Sequence, residues 1–176
     1  TFRRLFAEGT FNAAFVPSYS SELAVGKKNS QNFANKIFNI LLVSLLAVVL
    51  IIEIFMPGFI FIIAPGFNEN NDKLELTILL TRITFPFLFF VSLSSFFSAI
   101  LNSHNRFAAA SAAPIILNIL LIIVLLYGKY LNDQIVFYLS YAVTLAGIIQ
   151  LIFLFYFVRK YYYPKFSLSF KIDDKT

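Results

Sequence analysis

An all-α, polytopic transmembrane helical bundle is the fold class this sequence predicts, and three observations predict it. Hydrophobic residues make up 59% of the 176 positions and charged residues 13%, where a soluble domain carries roughly half and a quarter. The mean hydropathy is +0.80, so the apolar surface is too large for one small globule to hide. The apolar positions are also gathered into four long runs that do not alternate. Each reaches the ~20 residues a helix needs to cross the hydrocarbon core, whereas membrane strands need only about ten and alternate.

The first segment, 1–25, is the least apolar. It mixes Arg3, Arg4, Glu8, Asn12 and Ser18 with Phe6, Phe11, Phe15 and Val16, and small residues recur at Ala7, Gly9, Ala13 and Ala14. This mixture predicts the later part of a helix that faces protein or water more than lipid. The chain starts at Thr1 and shows no basic-flanked, short apolar leader with a cleavage site, so no signal peptide is expected there. A fragment whose N-terminal part lies upstream is the expectation.

The runs follow in order at 37–63, interrupted by Glu53 and Pro57-Gly58; at 76–101, with Arg82 and Pro86; at 107–127, with Pro114; and at 135–158. Segment 159–176 is expected to be a cytoplasmic connector. Its residues 165–172 alternate polar and apolar, which fits a short strand or an interfacial stretch equally.

The connections set the orientation. Lys27, Lys28 and Lys36 precede the first run, and the next connection is acidic, with Glu69, Asp72, Lys73 and Glu75. Arg106 and His104 follow, then Lys129 against Asp133, then Arg159, Lys160, Lys165, Lys171 and Lys175 in the tail. Counted by Lys and Arg alone, the connections alternate rich and poor, which predicts the rich ones on the cytoplasmic side. Tyr127, Tyr130 and Tyr161 to Tyr163 stand where an aromatic belt is expected.

Several function classes are excluded. There is no cysteine and one histidine, so disulfides, thiolate metal sites and histidine clusters are out. The net charge is +5 and the pI about 9.5, but the cations punctuate apolar runs and form no nucleic-acid footprint. No phosphate loop, hydrolase triad or metal motif occurs, and no cofactor is expected.

Ionisable residues inside apolar segments remain as candidates, because each costs at least ~2.5 kcal/mol at the bilayer centre. Arg3, Arg4 and Glu8 are the densest group. Arg4 and Glu8 are four apart and can face each other on a helix, while Arg3 shares a face with Ala7 and Ala14. An arginine there offers planar donors suited to a phosphate; the plain alternative is a pair of cations ending a helix at the membrane surface. Arg82 is expected to snorkel outward. Glu53 either pairs with Arg82 or reaches interfacial water, and His104 is expected to be solvated. Ser94/Ser98 and Ala108/Ala112 read as close-packing pairs.

Several stretches together resemble the MurJ/MviN family of lipid II flippases. Phe2-Arg3-Arg4-Leu5-Phe6-Ala7-Glu8-Gly9, with Phe11 and Ala14-Phe15-Val16-Pro17, is similar to the family's arginine-bearing second helix. Ile63-Ala64-Pro65-Gly66-Phe67 is similar to its first outer loop. Arg82-Ile83-Thr84-Phe85-Pro86, Ala99-Ile100-Leu101-Asn102, Asn105-Arg106-Phe107 and Ala113-Pro114 through Leu117-Asn118 are similar to its fourth and fifth helices. Thr10, where a small alanine is expected, and Glu53 depart from the pattern.

The resemblance covers essentially the whole chain and implies the N-lobe of a two-lobed, fourteen-helix exporter. The fragment would then run from the end of helix two (1–25) through helices three (37–63), four (76–101), five (107–127) and six (135–158). Helix one and the C-lobe are its missing partners in the same polypeptide. The implied activity is non-enzymatic: flipping of an undecaprenyl-pyrophosphate-linked peptidoglycan precursor to the periplasmic leaflet of the bacterial inner membrane. The implied substrate-binding residues are Arg3, Arg4 and Glu8, with Arg3 at the cavity arginine. The implied partners are the lipid-linked precursor and membrane lipids, with no nucleic acid. A MATE-like drug exporter, a polysaccharide-lipid flippase or a non-catalytic membrane scaffold are the alternatives the residues leave open. Upstream helices with further inward arginines would favour the flippase.

Overall fold

The computed structural model describes residues 10–67, 71–131 and 134–165. Among them are seven α-helices and no strand: α1 (Thr10–Val25), α2 (Lys27–Ile54), α3 (Met56–Ile63), α4 (Asn71–Thr84), α5 (Phe87–Ser103), α6 (Phe107–Leu131) and α7 (Ile135–Val158). A 3-10 turn at Pro65–Phe67 follows α3. The alternating stretch after Lys165 lies outside the described residues.

Four spans are long and apolar enough to cross a membrane: Lys27–Ile54, Asn71–Ser103, Phe107–Gly128 and Ile135–Val158. The chain is thus a multi-pass membrane protein. Two of the apolar runs are each broken into two helices by proline. Pro57 has no N–H for the carbonyl of Glu53, and α2 gives way to α3 around Phe55. Pro86 likewise separates α4 from α5. That break is pinned by α7, where the Thr144 hydroxyl donates to the carbonyl of Ile83.

The second helix starts ten residues before the apolar run does, at Lys27 directly after Gly26. The lysine-bearing stretch is helical because it is amphipathic: Ser30, Ala34 and Phe38 are buried at four-residue spacing. Further along, Leu50, Ile51 and Ile54 are exposed. A side chain of that kind bare to water forfeits roughly 1.5–3 kcal/mol of burial, so this surface calls for lipid. Ile115, Ile119 and Ile122 of α6 make the same demand.

The core is built around α5, which buries Leu93, Phe96, Phe97, Ile100 and Leu101. Phe96 has no exposed surface and meets Phe15 edge-on at 5.2 Å, Phe38 at 5.6 Å and Tyr162 at 5.8 Å. Phe11, Phe15 and Tyr19 stack along one row of α1 at 5.3 and 5.5 Å, locking α1 onto the bundle. On the other side of α5, α7 approaches so closely that a Cβ on Gly147 would lie 2.8 Å from Phe87 Cδ2.

Candidate functional site

At one end of the bundle the α1–α2 link, the α5–α6 turn and the segment after α7 converge. The turn closes α5 with Asn105 in the left-handed region, at φ 57°, which asparagine tolerates better than most residues. The Arg106 amide donates back to the Leu101 carbonyl at 2.9 Å and the Asn105 amide to Asn102 at 3.0 Å, the pairing of a Schellman cap. This cap throws His104 inward. Its Nε2 lies 3.2 Å from the Tyr19 hydroxyl, and its ring stacks on Tyr161 at 4.4 Å. Arg106 Nε donates to the Tyr161 hydroxyl at 2.9 Å. His104 is therefore not simply solvated: burial, and secondly the charge of Lys27, hold it below the usual imidazole range.

The three tyrosines at 161–163 divide their work. Tyr163 is exposed, as a belt residue would be, but Tyr162 is buried. Its hydroxyl donates to Asn35 Oδ1 at 2.7 Å, and the Lys165 amide donates to the same oxygen at 3.0 Å. Burial, then the neighbouring Tyr19, push the Tyr162 phenol well above its ordinary range. The Lys/Arg-bearing connections that alternate in sequence are thus gathered at one end of the molecule.

From this end a partly open cleft of about 360 Å³ runs inward between α1, α5, α6 and α7. Asn12, Ser94, Ser98, Asn102, Ser111 and Gln150 supply its polar lining, and Phe107 and Pro114 are among its apolar members. No charged side chain lines it among the described residues. Ser94 and Gln150 are each 4% exposed, and Ser94 Oγ has no hydrogen-bond partner among the described residues. Because Pro114 has no N–H, the carbonyl of Ala110, also at the cleft, loses its usual helical donor. Ser94 and Ser98 thus line a cavity as well as lying where α5 packs against its neighbours. The signal that was available is the cluster of hydroxyls at 94, 95 and 98 across from Pro114 and Gln150.

Arg3, Arg4 and Glu8 precede Thr10 and lie outside the described residues. Asn12, at the cleft, follows Glu8 by four positions in the sequence. Glu53 and Arg82 sit elsewhere, around the proline breaks. Arg82 is exposed and within electrostatic reach of Glu53, whose Oε1 is buried without a hydrogen-bond partner. Among the described residues no group of His, Asp or Glu is arranged to hold a metal.

Comparison with known proteins gives this bundle its relatives. The family model for the lipid II flippase MurJ matches residues 1–176. The chain is 42% identical over 160 residues to a probable lipid II flippase MurJ of Rickettsia prowazekii (strain Madrid E) and 40% identical over 163 residues to one of Rhizobium tropici. Each alignment covers 90% of this chain and 31% of the relative. The Lipid II flippase MurJ of Burkholderia cenocepacia is 31% identical over 153 residues, covering 84% of this chain and 29% of that protein. The chain spans about a third of the length of these relatives. A helical membrane bundle whose every residue falls within one family model belongs to the lipid II flippase MurJ family.

Proposed function

We propose that the protein containing this chain is a flippase for an undecaprenyl-pyrophosphate-linked peptidoglycan precursor in the bacterial inner membrane. The observation that carries this reading is the family match over residues 1–176, which includes the Arg3-Arg4-Leu5-Phe6-Ala7-Glu8 motif. The work is binding and alternating access, with no bond broken. A pyrophosphate leaving water needs fixed positive charge to offset its desolvation, and Arg3 and Arg4 supply it from the least apolar segment of the sequence. Glu8, one turn on, can hold an arginine in position through an i,i+4 pair. The basic end of the bundle faces the cytoplasm in this reading, following the positive-inside bias.

Complementation of a flippase-depleted cell by the full-length protein tests it, with membrane levels of each variant checked by blot. Arg3→Ala removes a charge-assisted bond worth roughly 1.5–3 kcal/mol, one to two decades of binding, and should fail to complement. Arg3→Lys keeps the charge without the fork and should complement partly. Arg82→Ala should complement, because Arg82 is exposed near a proline break. Growth supported by Arg3→Ala at normal protein levels would remove Arg3 from the site.

A further inference from the structure

We propose that the cleft between α1, α5, α6 and α7 is a subsite for one uncharged sugar ring of the lipid-linked substrate. The inference rests on the flippase reading and adds to it a second place of contact, distinct from the arginine motif. The cleft's chemistry decides its ligand class. Hydroxyls and carboxamides from Asn12, Ser94, Ser98, Asn102, Ser111 and Gln150 line it without any charged side chain among the described residues. Such a lining does not suit a pyrophosphate, which needs cations. It does suit a ligand that presents hydroxyl and acetamido groups, each both donor and acceptor.

Three further observations narrow the choice. Ser94 Oγ is buried and has no hydrogen-bond partner among the described residues, and a buried hydroxyl left so is a standing cost that a ligand relieves. The Ala110 carbonyl, deprived of its helical donor by Pro114, adds an acceptor at the wall. Phe107 is 56% exposed at the rim, where an aromatic ring can lie against the apolar face of a sugar.

Size and position agree. The cleft holds about 360 Å³, at the lower end of the ~300–1,000 Å³ typical of small-molecule sites. That suits one ring with its substituent and not a whole headgroup. Asn102 and Phe107 flank the turn at the basic end, and Ser94 lies eight residues up α5, roughly 12 Å deeper at 1.5 Å per residue. The mouth is thus at the end where, in the proposed orientation, the substrate is loaded.

Two lipids separate the subsite from the arginine motif: undecaprenyl pyrophosphate, which has no sugar, and the full disaccharide-peptide lipid. Binding of both to the purified full-length protein is measured for wild type, Gln150→Leu and Ser94→Ala. Gln150→Leu should weaken the sugar-bearing lipid about tenfold and leave the sugar-free lipid unchanged. Ser94→Ala should weaken the sugar-bearing lipid by a smaller factor without lowering the melting temperature, since its hydroxyl has no partner to lose. A structural role for the serine would instead lower thermal stability. Equal affinities of wild type and variants for the sugar-bearing lipid overturn the subsite and leave the flippase reading intact. Equal weakening toward both lipids also overturns it. A wild type that binds neither lipid refutes the flippase reading itself.

Discussion

His104 shows how one side chain changes meaning when its neighbours are known. In sequence it is a histidine in a short polar turn; in the fold its Nε2 shares a hydrogen bond with the Tyr19 hydroxyl, its ring stacks on Tyr161, and it lies within reach of the Lys27 charge. Its folded-state proton affinity is lowered, so the unfolded chain, titrating near pH 6.5, takes up protons first as the solution is acidified. The stability this arrangement contributes is therefore fully present above about pH 6.5 and is lost as the pH falls through that value toward the lower folded one. Thermal unfolding of the full-length protein between about pH 5 and about pH 7.5 should show this slope, and His104→Gln should flatten it. Parallel profiles for the two proteins would show that His104 does not titrate as described. Arg106 joins the same cluster by donating to the Tyr161 hydroxyl.

The helices owe their ends to proline and their spacing to glycine. Pro57 and Pro86 break two apolar runs into α2–α3 and α4–α5, whereas Pro114 sits inside α6 without ending it. Gly147 and Gly58 make a matched test of packing against propensity. A Cβ at Gly147 meets Phe87 at 2.8 Å and the Cβ of Phe90 at 3.0 Å, while one at Gly58 meets nothing within 4 Å. Gly147→Ala should force α5 and α7 apart at a cost of about 1–3 kcal/mol, and the melting temperature of the full-length protein should fall. Gly58→Ala lies in α3 and should be neutral or stabilising by up to ~1 kcal/mol, since alanine is the better helix former. If the two substitutions shift melting alike, the α5–α7 approach is looser than described.

For the whole molecule, the informative feature is that the cationic connections meet at one end while the bundle leaves wide apolar surfaces bare. The exposed apolar surface of α6 and of the far half of α2 calls for apolar surroundings rather than water, and the basic end takes the cytoplasmic side in the proposed orientation. Cysteines placed singly at the exposed positions Asn29 and Lys160 should be shielded from an impermeant thiol reagent in intact cells, and one at Asn71 should react. Labelling of Asn29 and Lys160 without Asn71 inverts the topology. The chain spans 31% of the Rickettsia prowazekii relative's length, so the proposed flipping is tested on the full-length protein.

The membrane class, the helical content and the family were all legible before any coordinates. They depend on run length, on the absence of alternation and on short motifs, all of which are properties of neighbours along the chain. The same local reasoning mistook the start of α2, because Lys27 to Lys36 is polar by composition and helical only through the Ser30–Ala34–Phe38 stripe it buries. It also read Tyr161 to Tyr163 as one belt, when packing sends Tyr162 into the core and stacks Tyr161 on a histidine fifty-seven positions away. The cleft was the least legible feature. Its polar groups come from four helices spread from Asn12 to Gln150, and nothing in a linear pattern says that Ser94 will line the same cleft as Pro114 and Gln150. Burial and enclosure are set by which helix faces meet, and that is decided by side-chain packing between segments far apart in the chain.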